Sequence, residues 1–269
     1  MQTEASPSLR HYTLAGPGNF RDIGGYAVRD GRRTRWRRLF RSDSLHRLTD
    51  EDLAELEAQH VHIKLGLDLR TVREVEAGGD SALFSHGARH LHVPFVEAVR
   101  REEGVTRFDS VGAMYVDMIE RAHEPIRLAF EALADVDNFP AVYYCSAGKD
   151  RTGMLTALLL SSLGVSDADI VADYALTDLH MHAVLSARVE KARQDRLERE
   201  AEVKARGEAP HEQAAPQGEL APDLLRARPE SMVAFLEHLS SRYGSAAGYL
   251  AHAGVTRDAL ERIEELLLE

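Results

Sequence analysis

The amino-acid sequence predicts an α/β fold in which a central, mostly parallel sheet is flanked by helices and carries a helical insertion. Three stretches support this. Residues 139–144 are short and rich in β-branched and aromatic side chains, whereas 154–163 is an almost wholly apolar helix-forming run, so Cys145 to Gly153 must join a strand to a helix. Val61, Ile63, Leu65, Leu67 and Leu69 alternate with His62, Lys64, Gly66 and Asp68, which is the period of a strand. Between 111 and 135, Met114, Met118, Ile126, Phe130 and Leu133 supply the apolar positions of a helix interrupted at Pro125.

In chain order, residues 1–16 read as a poorly ordered leader and 17–177 as the core. Tyr26 to Val28, a turn at Asp30-Gly31 and the run from Thr34 to Phe40 predict a β-hairpin. Seven arginines fall between Arg29 and Arg41; most read as solvated charges on an exposed hairpin, and a basic rim that attracts anionic substrates to a nearby site is the alternative. Thr49 caps a helix expected to run from Asp50 to about His60, with acids crowding its first turn. Residues 70–76 form a short helical segment with ion pairs of its own. His86, His90 and His92 lack carboxylate or cysteine neighbours at metal-ligand spacing and are read as ordinary surface or core histidines. Gly164 ends the apolar helix, and Ser166 and Asp167 open another that contains Asp173-Tyr174. Residues 188–206 are dense in alternating charge, the mark of a solvated helix, and 207–222 is a polar linker. Helical patterns return at 231–239 and 256–268. The expected organisation is a helical insertion or lid over 178–240 and C-terminal helices over 241–269 packed on the core.

Composition narrows the function classes. A formal net charge of −11 argues against a general nucleic-acid binder. A single cysteine rules out an internal disulfide and fits a reducing compartment, as a reactive thiolate requires. Residues 1–16 hold no apolar run of the secretory kind and no stretch reaches membrane-spanning length, so the expected compartment is the cytoplasm.

The stretch that carries chemistry is Cys145-Ser146-Ala147-Gly148-Lys149-Asp150-Arg151-Thr152-Gly153. A glycine-containing turn at a helix start aims several backbone N–H groups at one point, and the helix dipole adds positive potential, which together make a cradle for a dianion. The same field favours a thiolate at Cys145, on the cradle floor. Arg151 stands where its planar fork can grip two oxygens of the anion, which lysine does less well. A nucleotide-binding P-loop fits worse, because Asp150 replaces the Ser or Thr expected after Gly148-Lys149 and no glycine stands five positions before Gly148.

With the second motif Asn19-Phe20-Arg21-Asp22-Ile23-Gly24-Gly25, this loop resembles the bacterial branch of the cysteine-dependent tyrosine and dual-specificity phosphatases. Phe40-Arg41-Ser42, Asp68-Leu69-Arg70 and Asp173-Tyr174 extend the similarity from about Gly18 to Tyr174. The resemblance implies a phosphatase fold and hydrolysis of phosphate monoesters through a phosphocysteine on Cys145. Ser146, Ala147, Gly148, Lys149, Arg151 and Thr152 would hold the phosphate, and Thr152 would stabilise the departing sulfur. Asp68, arriving from another strand, is the first candidate for the proton donor, and Asp150 is the other. Arg21, Asp22 and Arg41 are expected to support the loop. Tyr144 stands where the family usually carries histidine before the nucleophile; either a tyrosine there replaces the histidine's hydrogen bond or the Cys145 thiol titrates higher than in relatives. Neither metal nor cofactor is implied. Candidate substrates are phosphoproteins, phosphoinositides, which the family associates with a lysine such as Lys149, or small phosphorylated metabolites. Some relatives carry a helical lid over the active site, which 178–240 would supply; a solvated helical arm or a dimer contact is the alternative reading of that segment. The alternatives are a phosphate-binding module without turnover and a metal-dependent phosphoesterase.

Overall fold

A computed structural model describes residues 9–95, 108, 110–180 and 226–269. Its centre is a five-stranded sheet of β1 (Arg21–Asp22), β2 (Leu39–Ser42), β3 (Leu65–Asp68), β4 (Arg89–His92) and β5 (Ala141–Tyr144), in the order β1-β2-β5-β3-β4. Only β1 runs antiparallel to its neighbour. Ser42 and Asp68 both pair with Tyr144, so the carboxyl ends of β2, β3 and β5 meet at one edge, directly before Cys145.

Side chains alternate across this sheet, so each face buries its own cluster. Leu65, Leu67, Ala141 and Tyr143 face the larger cluster, beneath α4 (Val111–Ile119), α5 (His123–Leu133), α6 (Asp150–Ser162), α8 (Pro229–Tyr243), α9 (Ala246–His252) and α10 (Arg257–Leu267). Phe40, Val142 and Tyr144 face the smaller one, with Leu56 of α1 (Asp50–Ala58) and Leu83 of α3 (Ala82–Ser85). Local chemistry sets the ends of these elements. Thr49 and Asp52 make a reciprocal cap on α1, Thr71 and Glu74 do the same on α2 (Val72–Gly78), and Pro229 opens α8. Helix α7 occupies 167–180. Among the described residues no helix is long and apolar enough to cross a membrane.

Several expectations change. The strand expected over 61–69 contracts to Leu65–Asp68, because its partners begin only at Arg89 and Ala141. The predicted hairpin survives as isolated bridges around its turn, Ala27 to Arg33 among them, while Leu39–Ser42 leaves it to pair with β5. The helix expected over 111–135 is two helices, and Pro125 sits in the first turn of the second, where its missing N–H costs no helical bond. Part of the expected leader is packed: Arg10 and Tyr12 are buried and the Arg10 carbonyl accepts from the Asp22 N–H. The expected insertion does not extend to 240, since Met232, Phe235, Leu236 and Leu239 of α8 lie in the main core. The solvated helix at 188–206 and the linker at 207–222 lie outside the described residues. The arginine-rich loop precedes β2 and therefore sits at the end of the sheet opposite Cys145, so Arg29 to Arg38 form no rim around the loop.

Candidate active site

The nine-residue loop is held from behind by groups remote in sequence. The Ser146 carbonyl accepts from the Ser44 N–H at 3.3 Å, and the Ala147 carbonyl from Asn19 Nδ2 at 3.5 Å. The Gly148 carbonyl accepts from Asn19 Nδ2 at 3.1 Å and from Arg41 at 2.8 Å. A trans peptide sets each C=O opposite the N–H of the next residue, so drawing these three carbonyls outward turns the N–H groups of Ala147, Gly148 and Lys149 toward the interior of the loop. Gly148 is required here: its φ is +64°, and a Cβ would come within 2.5 Å of the Ser42 carbonyl.

The rear wall rests on a buried ion triad. Asp173 of α7 takes Arg21 on Oδ1 at 3.2 Å and Arg41 on Oδ2, and Tyr26 also donates to Oδ1. Burial alone would raise the Asp173 pKa, but the two guanidiniums outweigh it and hold the carboxyl well below the usual carboxylate range. Arg21 also donates to Asn19, which completes the link to the loop. Asp22 fastens the start of the neighbouring turn through the N–H groups of Gly24 and Arg37 at 2.7 and 2.6 Å, and burial lifts its pKa to about 6. Arg41 thus holds the Gly148 carbonyl directly and Arg21 reaches the loop through Asn19, whereas the bonds of Asp22 go to the neighbouring turn and not to the loop.

A residue that the sequence did not single out grips the loop from the front. Glu74 accepts Arg151 on both carboxylate oxygens, at 2.5 and 2.8 Å, the Ser146 hydroxyl at 2.6 Å and the Thr71 N–H at 2.7 Å. Arg151 also donates to the Leu69 carbonyl at 3.2 Å. Burial works against the Arg151 charge, but the adjacent Cys145 and Glu74 outweigh it and hold its pKa above the ordinary value. For Glu74, burial is likewise outweighed by Arg151 and Ser146, and its pKa falls from 4.5 to about 2. A depressed carboxylate pKa gives stability that is full above the unfolded value and lost as pH falls through the folded one. Glu74→Gln is therefore expected to flatten the fall in unfolding free energy between about pH 4.5 and 2, as read by urea denaturation across that window. An unchanged acid limb would show that this pair contributes nothing to stability.

The structure separates the two candidate proton donors. The Asp68 carboxylate is fully buried, is bound by the Arg70 side chain at 2.7 Å and by the Arg70 N–H at 3.0 Å, and lies 3.3 Å from His90. Burial would raise its pKa, yet the bonds to Arg70 bring it below the ordinary value. Its strand neighbours Leu67 and Leu69 belong to the cluster that includes Cys145, so Asp68 points to the opposite face and does not share the expected crevice. What Asp68-Leu69-Arg70 delivers to the loop is the Leu69 carbonyl. Asp150, the first residue of α6, carries its carboxylate at the loop, with Lys149 Nζ at 3.2 Å and the Tyr115 hydroxyl at 2.6 Å. Lys149 also reaches the Arg226 carbonyl, at 3.4 Å.

Tyr144 likewise faces away from Cys145, into the smaller cluster beneath Arg70. Its hydroxyl is buried without a well-formed hydrogen bond, and burial, reinforced by the Asp68 charge, pushes its pKa far up. Of the two readings of Tyr144, replacement of the histidine's hydrogen bond finds no support in this orientation. Cys145 is a buried free thiol, and the Thr152 hydroxyl is buried without a partner. His92 bonds the Arg70 carbonyl at 2.8 Å, and among the described residues no group of three or more potential metal ligands converges.

A family model described as "Tyrosine phosphatase family" matches residues 12–269. The chain is 29% identical to a tyrosine-protein phosphatase of Nostoc commune, over 83% of this chain and 72% of that protein. It is also 29% identical to the triple specificity protein phosphatase PtpB of Mycobacterium tuberculosis, over 95% of this chain and 98% of that protein.

Proposed function

This chain belongs to the tyrosine phosphatase family and is a phosphatase, and from that premise we propose that it works through a phosphocysteine on Cys145 without a metal. The observation that supports this most is the outward pull on three consecutive loop carbonyls, which turns their neighbouring N–H donors toward the loop interior, with Arg151 close enough to Cys145 to interact with it electrostatically. In the first step the Cys145 sulfur bonds to phosphorus and the bond to the leaving oxygen breaks. The N–H groups of Ala147, Gly148 and Lys149 and the Arg151 fork hold the equatorial oxygens as charge develops on them. Asp150 rather than Asp68 gives its proton to the leaving oxygen, since Asp68 is ionised and enclosed by Arg70. In the second step water bonds to phosphorus, Asp150 recovers a proton and sulfur departs as thiolate. The buried Thr152 hydroxyl is free to donate to that sulfur.

Phosphorylated proteins are the proposed substrates, a reading supported by the names of both relatives. Phosphoinositides and small phosphorylated metabolites are the classes to compare with them. The test is turnover of an aryl phosphate with chelator present, joined to acid quenching and mass spectrometry of the loop peptide. The expected result is undiminished turnover and a phosphoryl group on Cys145. Loss of turnover on chelation with no phosphopeptide would establish the metal-dependent alternative. Binding of phosphate without turnover would establish a binding module.

A further inference from the structure

A chain of two buried tyrosines ends on Asp150. The Tyr115 hydroxyl lies 2.6 Å from Asp150 Oδ1 and 2.6 Å from the Tyr174 hydroxyl. A phenol has one proton. Tyr115 spends it on the carboxylate, so Tyr174 is the donor between the two tyrosines, and the relay runs from Tyr174 through Tyr115 to Asp150. Lys149 Nζ approaches the same oxygen, Oδ1, at 3.2 Å. With both contacts on Oδ1, the proton of a neutral Asp150 belongs on Oδ2.

The relay is held rigidly. Both tyrosines are almost fully buried, and the Tyr115 ring meets Tyr174 and Phe235 edge-on, at 6.2 and 6.3 Å between centroids. Gly153, the last residue of the loop motif, makes room for it: a Cβ there would stand 2.9 Å from the Tyr174 ring. Burial and then the Asp150 charge raise the Tyr115 pKa well above the ordinary phenol value, so it stays a donor throughout the working range of pH.

We propose that Tyr115, steadied by Tyr174, is a positioning residue that fixes the Asp150 carboxyl by its Oδ1 so that Oδ2 presents the proton to the leaving oxygen. The inference rests on the reading of Asp150 as the acid. It assigns to Tyr115 a role in discriminating among substrates: esters with basic leaving groups, such as alkyl and phenyl phosphates, need the proton as the bond to phosphorus breaks. Dinitrophenyl phosphate, whose leaving group departs as a stable anion, does not.

The experiment measures kcat/KM for phenyl phosphate and dinitrophenyl phosphate with wild type, Asp150→Asn, Tyr115→Phe and Tyr174→Phe, each checked for folding by thermal denaturation. This quantity covers the step in which the leaving group departs. Asp150→Asn is expected to lose about 10²-fold more on phenyl than on dinitrophenyl phosphate. Tyr115→Phe is expected to lose about tenfold more on phenyl phosphate, and Tyr174→Phe to lose less with the same bias. Equal losses on both esters in Asp150→Asn would overturn the acid assignment itself. A biased Asp150→Asn together with unbiased Tyr115→Phe would leave that assignment standing and overturn the positioning role. Should Tyr115→Phe fail to fold, an unbiased Tyr174→Phe overturns it and a biased one supports it.

Discussion

Cys145→Ser is expected to lose turnover of every phosphate monoester by on the order of 10⁴-fold or more, while its affinity for vanadate or inorganic phosphate changes by only a few fold. The first part follows from removing the nucleophile, since loss of one member of a catalytic set commonly costs as much as losing the whole set. The second part follows from the walls of the site. On the proposed reading the donors facing the anion are backbone N–H groups whose carbonyl neighbours are held by Asn19, Arg41 and Ser44, none of which depends on the sulfur. Arg151→Lys is the informative contrast, because it removes the planar fork that Glu74 aligns and should weaken both turnover and anion binding. Steady-state kinetics with vanadate as competitive inhibitor reads both quantities. A serine variant retaining a tenth of wild-type activity would sink the proposed covalent route.

The second large effect concerns stability. Asp173→Asn keeps the shape of the side chain but leaves Arg21 and Arg41, both fully buried, facing each other without the charge that neutralises them. Removing one partner from a buried ion network costs about 3–5 kcal/mol, far more than the net worth of the intact network, because the remaining charges stay desolvated. The urea midpoint should fall accordingly. Phosphate affinity should fall with it, since Arg41 orients the Gly148 carbonyl. A variant with an unchanged midpoint would mean that the arginines find other partners.

The loop and its rear supports were legible because each is written as a short local motif. Cys145 to Gly153 names its own chemistry, and the motifs at Asn19, Arg41 and Asp173 could be matched separately before anything showed that they meet. What was not legible depended on which way an element faces. Glu74 carried one local signal, its spacing from Thr71, and that signal is fully explained by a helix cap; its grip on Arg151 follows only from the placement of α2 beside the loop. Tyr115 was hidden within an apolar helical pattern, where a buried aromatic is expected anyway. Asp68 was misjudged because alternation shows that it opposes Leu67 and Leu69 without showing which face holds Cys145. The basic rim, the less favoured of the two readings of the arginine-rich loop, drew on closeness in sequence to Arg41, yet the strand Leu39–Ser42 separates the two ends of the sheet.

The wall behind the loop joins positions 128, 129, 107 and 152 residues apart along the chain. Contacts that distant in sequence form only once the intervening elements have docked, since each closes a long loop against chain entropy. The loop thus has its rear wall only when the elements carrying Asn19, Arg41 and Asp173 are in place. An anion that binds only the completed cradle draws the population toward the native state by mass action. On the proposed reading of the loop, anion occupancy is therefore a readout of the integrity of the whole fold, since the nine residues of the loop form the site only with their remote supports in place.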